Sequence, residues 1–199
     1  MSGSVGRVLW VFGIVAGVLQ SLFYVPYIRD VMSGSTRPHR GSWTIWCVLS
    51  VIVLASQRAD GGRWSLLVVV VQLVGGVTIL LLAAERGVGG TSRIDLGLGA
   101  IAAAGLVGWY LAGDPTVATL CVVLADCIAV IMMLPKTYAH PYSETRSAFV
   151  LSALSGVFAM AAVGSLDFGL LLYPAYFAIA DTVVIALITY RRSEVAAES

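Results

Sequence analysis

Charge is what this chain has least of. Only 12% of its 199 residues are Asp, Glu, Lys or Arg, about half of the ~25% usual in soluble domains. Lipid is therefore the expected solvent. Lysine is nearly missing: Lys136 stands alone, which excludes a retinal protein with its lysine in a seventh helix. A net charge of +1 lacks the strongly basic face that a nucleic-acid partner needs. Cysteines are few as well. Cys47, Cys121 and Cys127 lie in apolar runs without a CxxC spacing, so they read as small buried hydrophobes, with no metal site. There is no HExxH or GxSxG, and neither Gly61-Gly62 nor Gly75-Gly76 leads into a GxxxxGK phosphate loop. Neither an enzyme nor a cofactor is indicated.

What is present is apolar: 59% of the residues are hydrophobic and the mean hydropathy is +0.92. A spanning helix needs ~20 such residues. The runs at 8–28, 42–57, 64–84, 94–112, 116–135, 148–163 and 168–190 predict an all-α membrane protein of seven transmembrane helices. The first run follows Arg7 as a signal peptide would. It exceeds the ~7–15-residue core of such a peptide and ends in no A-x-A site, so it reads as the first span. A Gly-rich loop, GVGGTSR, separates the third and fourth spans, and Gly113-Asp114-Pro115 predicts a turn before the fifth. The polar tail RRSEVAAES is expected to fray.

The densest stretch, QSLFYVPYIRDVMSGSTRPHRGSWTIWCVLS at 20–50, has an echo, AVIMMLPKTYAHPYSETRSAFVLSALS, at 129–155. Pro26 and Pro135 stand 109 positions apart, as do Thr36-Arg37 and Thr145-Arg146. At offset 105, Ser42 and Ser50 meet Ser147 and Ser155, and Arg86 meets Arg191. A single membrane domain, 1–199, is thus expected to hold two three-helix repeats, 8–86 and 116–192, joined by a linker helix, 94–112. Three helices reverse sidedness and the linker restores it, so this 3+1+3 plan makes the repeats parallel. Three basic residues, Arg7, Arg58 and Arg63, fall on one side of the spans. Nine fall on the other: Arg29, Arg37, Arg40, Arg86, Arg93, Lys136, Arg146, Arg191 and Arg192. The richer side is expected in the cytoplasm, with the N-terminus outside and the C-terminus cytoplasmic. In the linker, Ala100, Ala104 and Gly108 recur every four residues. This serves close packing on a repeat or reflects general Gly/Ala enrichment.

That layout, with a proline at the cytoplasmic end of helices one and five, resembles the PQ-loop superfamily. It includes SWEET-type sugar transporters, cystinosin-like amino-acid exporters and the KDEL receptor. The resemblance runs from about Val8 to Arg192, with Pro26-Tyr27 and Pro135-Lys136 in place of Pro-Gln and no proline in helix two or six. Helix seven, DFGLLLYPAYFAIADTVVIALITYRR, is similar to the last helix of cystinosin-like members. On that similarity Asp181 would be the proton-coupling carboxylate.

Two acids, Asp126 and Asp181, fall deep inside spans that contain no Lys, Arg or His. A charge at the bilayer centre costs ~2.5–3.5 kcal/mol on the gentlest scale. Each must be protonated, face a wet cavity, or hold a cation or donor; a protonated Asp bonded to a neighbouring helix is the structural alternative. Gln20 and Gln72 are candidates for substrate lining or for interhelical hydrogen bonds. Pro26, Pro135 and Pro174 are candidate hinges, the first two equally placed to end their helices. Trp43 and Trp46 suit either pocket lining or an interfacial belt. Tyr176, with Tyr173, suits stacking on a ring or core packing. His39 and His140 read as loop residues among arginines that meet lipid headgroups.

The leading expectation is a transporter for a small polar solute, a sugar or an amino-acid-like molecule, working by alternating access between the repeats. Gln20, Gln72, Asp126 and Asp181 would line the path. The alternative is a non-transporting receptor or accessory protein like the KDEL receptor, which would want basic groups facing a cavity. Partners are then the small-molecule substrate and the bilayer, with homo-oligomerisation open. Ala, Gly and Val richness with one lysine suggests a GC-rich bacterial genome, hence the plasma membrane.

Overall fold

A computed structural model describes residues 3–59, 65–111, 115–166 and 168–198. Among them the chain forms α1 (Gly3–Met32), α2 (Arg40–Ala59), α3 (Ser65–Arg86), α4 (Arg93–Leu111), α5 (Pro115–Ala139), α6 (Arg146–Val163) and α7 (Phe168–Glu198). A short 3-10 turn, Pro141–Ser143, precedes α6. No strand occurs among the described residues, only an isolated bridge between His39 and Val88. Four helical stretches, Gly6–Met32, Thr119–Ala139, Arg146–Val163 and Phe168–Glu198, are long and apolar enough to cross a bilayer. Gly113 and Asp114 of the expected turn lie outside the described residues, as do Gly61, Gly62, Arg63 and Trp64.

The outer faces of the helices explain why water is the wrong solvent. On α1, Val11, Ile14, Val18, Leu22 and Val25 recur at three- and four-residue steps and are all exposed. On α7, Leu170, Ile179 and Val183 are exposed as well. A continuous apolar exterior of this extent belongs against acyl chains.

The helices run further than the apolar runs predict. A proline removes one intrahelical donor and strains the preceding turn, yet α1 continues past Pro26 for more than a turn and α5 continues past Pro135. Burial on the inner face compensates: Tyr27 and Val31 follow Pro26, and Thr137 follows Pro135, all essentially inaccessible. The tail is a second correction. Instead of fraying, it extends α7 to Glu198. Glu194 meets Tyr190 and Arg191 on the preceding turn, and Arg192 donates to the carbonyls of Pro141 and Glu144.

Packing follows a closed order. α1 lies against α3 and α6, α2 against α3 and α5, and α7 against α5 and α6. Six helices therefore succeed one another as α1, α3, α2, α5, α7 and α6, with α4 resting on α5 and touching α2. One core gathers Phe23, Tyr27, Val31, Trp43, Ile79, Met133, Phe149, Val184 and Ile188. A second joins Ile45 and Leu49 to Ala102, Ala125, Ala129 and Met132. Close approach is set by small residues. At Gly156 an added Cβ would lie 2.8 Å from the Ala178 nitrogen and 2.9 Å from the Pro174 oxygen, so α6 and α7 meet backbone to backbone.

Candidate functional site

Several of the polar side chains within the apolar lengths of the helices converge from different elements. On α1, Gln20 faces inward and is buried. Ser152 of α6 donates to its Oε1 at 3.3 Å, and one turn on, Ser155 donates to the Ala16 carbonyl at 2.8 Å. Ser152 is also the hydrogen-bonding neighbour of Asp181 on α7. A serine has a single proton to give, so Ser152 can serve Gln20 or Asp181 but not both. Asp181 keeps one oxygen, Oδ2, buried and without a hydrogen-bond partner among the described residues. Buried carboxylate oxygens are rarely left bare.

The second acid lies near enough for the two charges to interact. Asp126 of α5 is buried; the Tyr176 hydroxyl of α7 donates to its Oδ2 at 2.8 Å, and Trp46 of α2 is a further hydrogen-bonding neighbour. Tyr173, three residues before Tyr176, stands within electrostatic reach of Asp126, Asp181 and Tyr24. Tyr24 belongs to α1, and its ring fills the space over Gly75 of α3, where any Cβ would collide with it. Cys47 sits beside Gly76, 3.4 Å from where a Cβ would be. Helices α1, α2, α3, α5, α6 and α7 thus all contribute to one locus. It carries two carboxylates, hydroxyls and aromatic faces. No Lys, Arg or His is among these groups.

The sequence-predicted residues divide accordingly. Asp126, Asp181, Gln20, Trp46 and Tyr176 come together. Gln72 is half-buried on α3, and among the described residues no hydrogen bond ties it to the group. Trp43 adjoins the group through Trp46, its ring centroid 5.0 Å away and edge-on; it is buried in the first core and donates its indole N–H to the Tyr27 hydroxyl at 3.2 Å. Pro26, Pro135 and Pro174 are all inside continuous helices. Pro174 lies on the α7 turn that meets Gly156, directly after Tyr173. Tyr24 and Ser152 escaped the sequence reading. Tyr24 had a signal, a tyrosine one turn from Gln20 on the same helical face; a lone serine in an apolar helix has none.

His39 lies in the connection between α1 and α2, as expected of a loop residue, but it is buried. Its Nδ1 accepts the Ser42 backbone N–H at 3.3 Å, and its Nε2 faces Asp95 at 3.7 Å. Burial holds the imidazole below its ordinary range, with Asp95 opposing and nearby Lys136 adding to the effect. His140 is exposed, as expected. Comparison with family models, curated proteins and solved structures finds no match for this chain.

Proposed function

We propose that this chain is a membrane transporter for a small polar solute, of the PQ-loop kind, working by alternating access. The observation that carries the reading is the bare, buried Oδ2 of Asp181, set beside Asp126 where six helices converge. A carboxylate at membrane depth without a basic partner is a functional-site signature. It can load a proton or meet a cationic group of a solute, while Tyr24, Trp46, Tyr173 and Tyr176 offer faces for the solute body. Absence of basic side chains from this locus favours sugars, amines or zwitterions held through their ammonium over anions.

The packing order supports two parallel three-helix repeats with α4 as the linker. Each proposed repeat places its third helix between its first two, and the contacts α1 with α6 and α5 with α2 are counterparts. Thr36 and Thr145, equivalent at offset 109, touch each other hydroxyl to hydroxyl at 2.7 Å. Equivalent residues of parallel repeats meet only at the axis relating them. The locus at the repeat interface is where such transporters bind substrate.

Uptake into proteoliposomes from a pooled sugar and amino-acid panel, with and without a pH gradient, tests the reading. Uptake that the gradient stimulates, and that Asp181→Asn uncouples, is expected. Stimulation unchanged in Asp181→Asn removes the proton-coupling role. No uptake of any member in either condition favours the receptor or accessory alternative.

A further inference from the structure

At the end of the molecule rich in arginine, the two halves are joined by a buried polar knot that the central site does not use. Its keystone is Glu144, in the turn before α6, only 1% exposed. The Tyr27 hydroxyl of α1 donates to Glu144 Oε2 at 3.0 Å, and Lys136 of α5 forms an ion pair with Oε1. Tyr27 in turn accepts from the Trp43 indole. Lys136 also donates to the carbonyl of Arg37 at 2.6 Å and approaches that of Ser143. Around this centre, the Arg37 N–H donates to the Ser143 carbonyl at 3.0 Å. Thr145 donates to Asp30 Oδ2 at 3.1 Å; its one proton is then spent, so Thr36 is the donor in the contact between the two threonines.

Two features separate this knot from ordinary packing. Tyr27 and Lys136 immediately follow Pro26 and Pro135, the matched positions where α1 and α5 each lack a backbone donor. Both helices therefore carry a weakened turn next to the residue that grips the shared carboxylate. The chemistry is also a poor choice for permanence. A buried ion pair commonly holds no better than apolar residues of the same volume, whereas loss of one partner is severe. Such a contact has a sharp made state and a sharp broken state.

We infer that Glu144 is the shared bolt of a latch that closes the arginine-rich end, and that this end opens when Tyr27 and Lys136 release it. Release lets α1 and α5 swing at Pro26 and Pro135. Glu144, Lys136 and Tyr27 are positioning residues: they set which end of the central locus is accessible without touching solute. The inference rests on the alternating-access reading above.

Cys47 provides the readout, since it is buried beside the central group. With Cys121→Ser and Cys127→Ser in the full chain, a membrane-impermeant maleimide is applied to right-side-out or inverted vesicles. Glu144→Gln and Lys136→Met are expected to speed Cys47 labelling from the arginine-rich end by about tenfold or more, with labelling from the opposite end unchanged or slower. Tyr27→Phe and Thr36→Val, which keep the ion pair, give a smaller change in the same direction. They decide the matter if the charge variants do not fold, as judged by helical circular dichroism and size exclusion. Wild-type rates in folded variants overturn the latch, and so does equal acceleration from both ends, which marks general loosening. Labelling needs no solute, so the two readings fail separately. Latch-dependent labelling without uptake sinks only the transporter, and uptake with latch-independent labelling sinks only the latch.

Discussion

His39 condenses several constraints into one ring. Its Nδ1 lies 3.1 Å from the Ser42 hydroxyl oxygen and 3.3 Å from the Ser42 backbone nitrogen, and its Nε2 lies 3.7 Å from Asp95. The ring fits only because residue 89 is glycine: a Cβ there would strike it, and the backbone already stands at a φ of +67°. The GVGG run thus serves as a seat, with the Val88 N–H donating to the Pro38 carbonyl and the Arg40 N–H to the Val88 carbonyl beside it. Burial lowers the folded-state pKa from its ordinary 6.5. The unfolded chain then binds more protons in the window below that value, so stability is full above it and falls with pH through the window. The thermal midpoint is expected to drop between about pH 7 and pH 5, and His39→Gln to flatten that slope in a detergent melting series. An undiminished slope removes His39 from the account. None of this was legible in the sequence, where His39 is one more polar residue among arginines. Glu144 was hidden for the same reason, because its burial comes from a turn folding beneath two distant helix ends. Asp126 and Asp181 were legible because an acid inside an apolar run is conspicuous wherever the helix points.

Helices were read well in place and poorly in extent. Hydrophobic runs locate a helix because lipid leaves the backbone no other partner. They do not mark its ends, which lie beyond the lipid and obey other rules. α1 and α5 outrun their prolines on the strength of buried Tyr27, Val31 and Thr137, and α7 outruns its apolar run through Arg192 and Glu194. Contact between helices depends on single atoms. At Gly156, which meets Pro174 and Ala178 backbone, Gly156→Ala is expected to push α6 from α7 and cost about 1–3 kcal/mol. A melting comparison checks it: Gly105→Ala, whose Cβ finds 3.6 Å to the nearest atom, should stay near wild type. Equal midpoints would show that the α6–α7 contact yields freely.

For the whole molecule, membrane class, helix count and the matched stretches were open to sequence reading, but neighbour relations were not. Chain order says nothing of α3 lying between α1 and α2, or of α1 reaching α6; these follow from side-chain fit across long separations. Sidedness rests on the distribution of arginine, and it has a direct test. Ser33, Thr91 and His140 are exposed in the connections at the arginine-rich end. In a chain whose native cysteines are serine, Ser33→Cys, Thr91→Cys and His140→Cys should each react with an impermeant maleimide from the cytoplasmic face alone. Reaction of any one from outside reverses or breaks the topology.

The length of α7 has a practical side. Its 31 residues span about 46 Å at 1.5 Å per residue, against ~30 Å of hydrocarbon, so its final turns stand clear of the bilayer. Through Arg192 that protruding rod is fastened to the main chain of Glu144 itself. An antibody fragment gripping the rod would hold a handle on the bolt, and could freeze one state of the molecule for imaging while adding the mass that a 20.9 kDa chain wants.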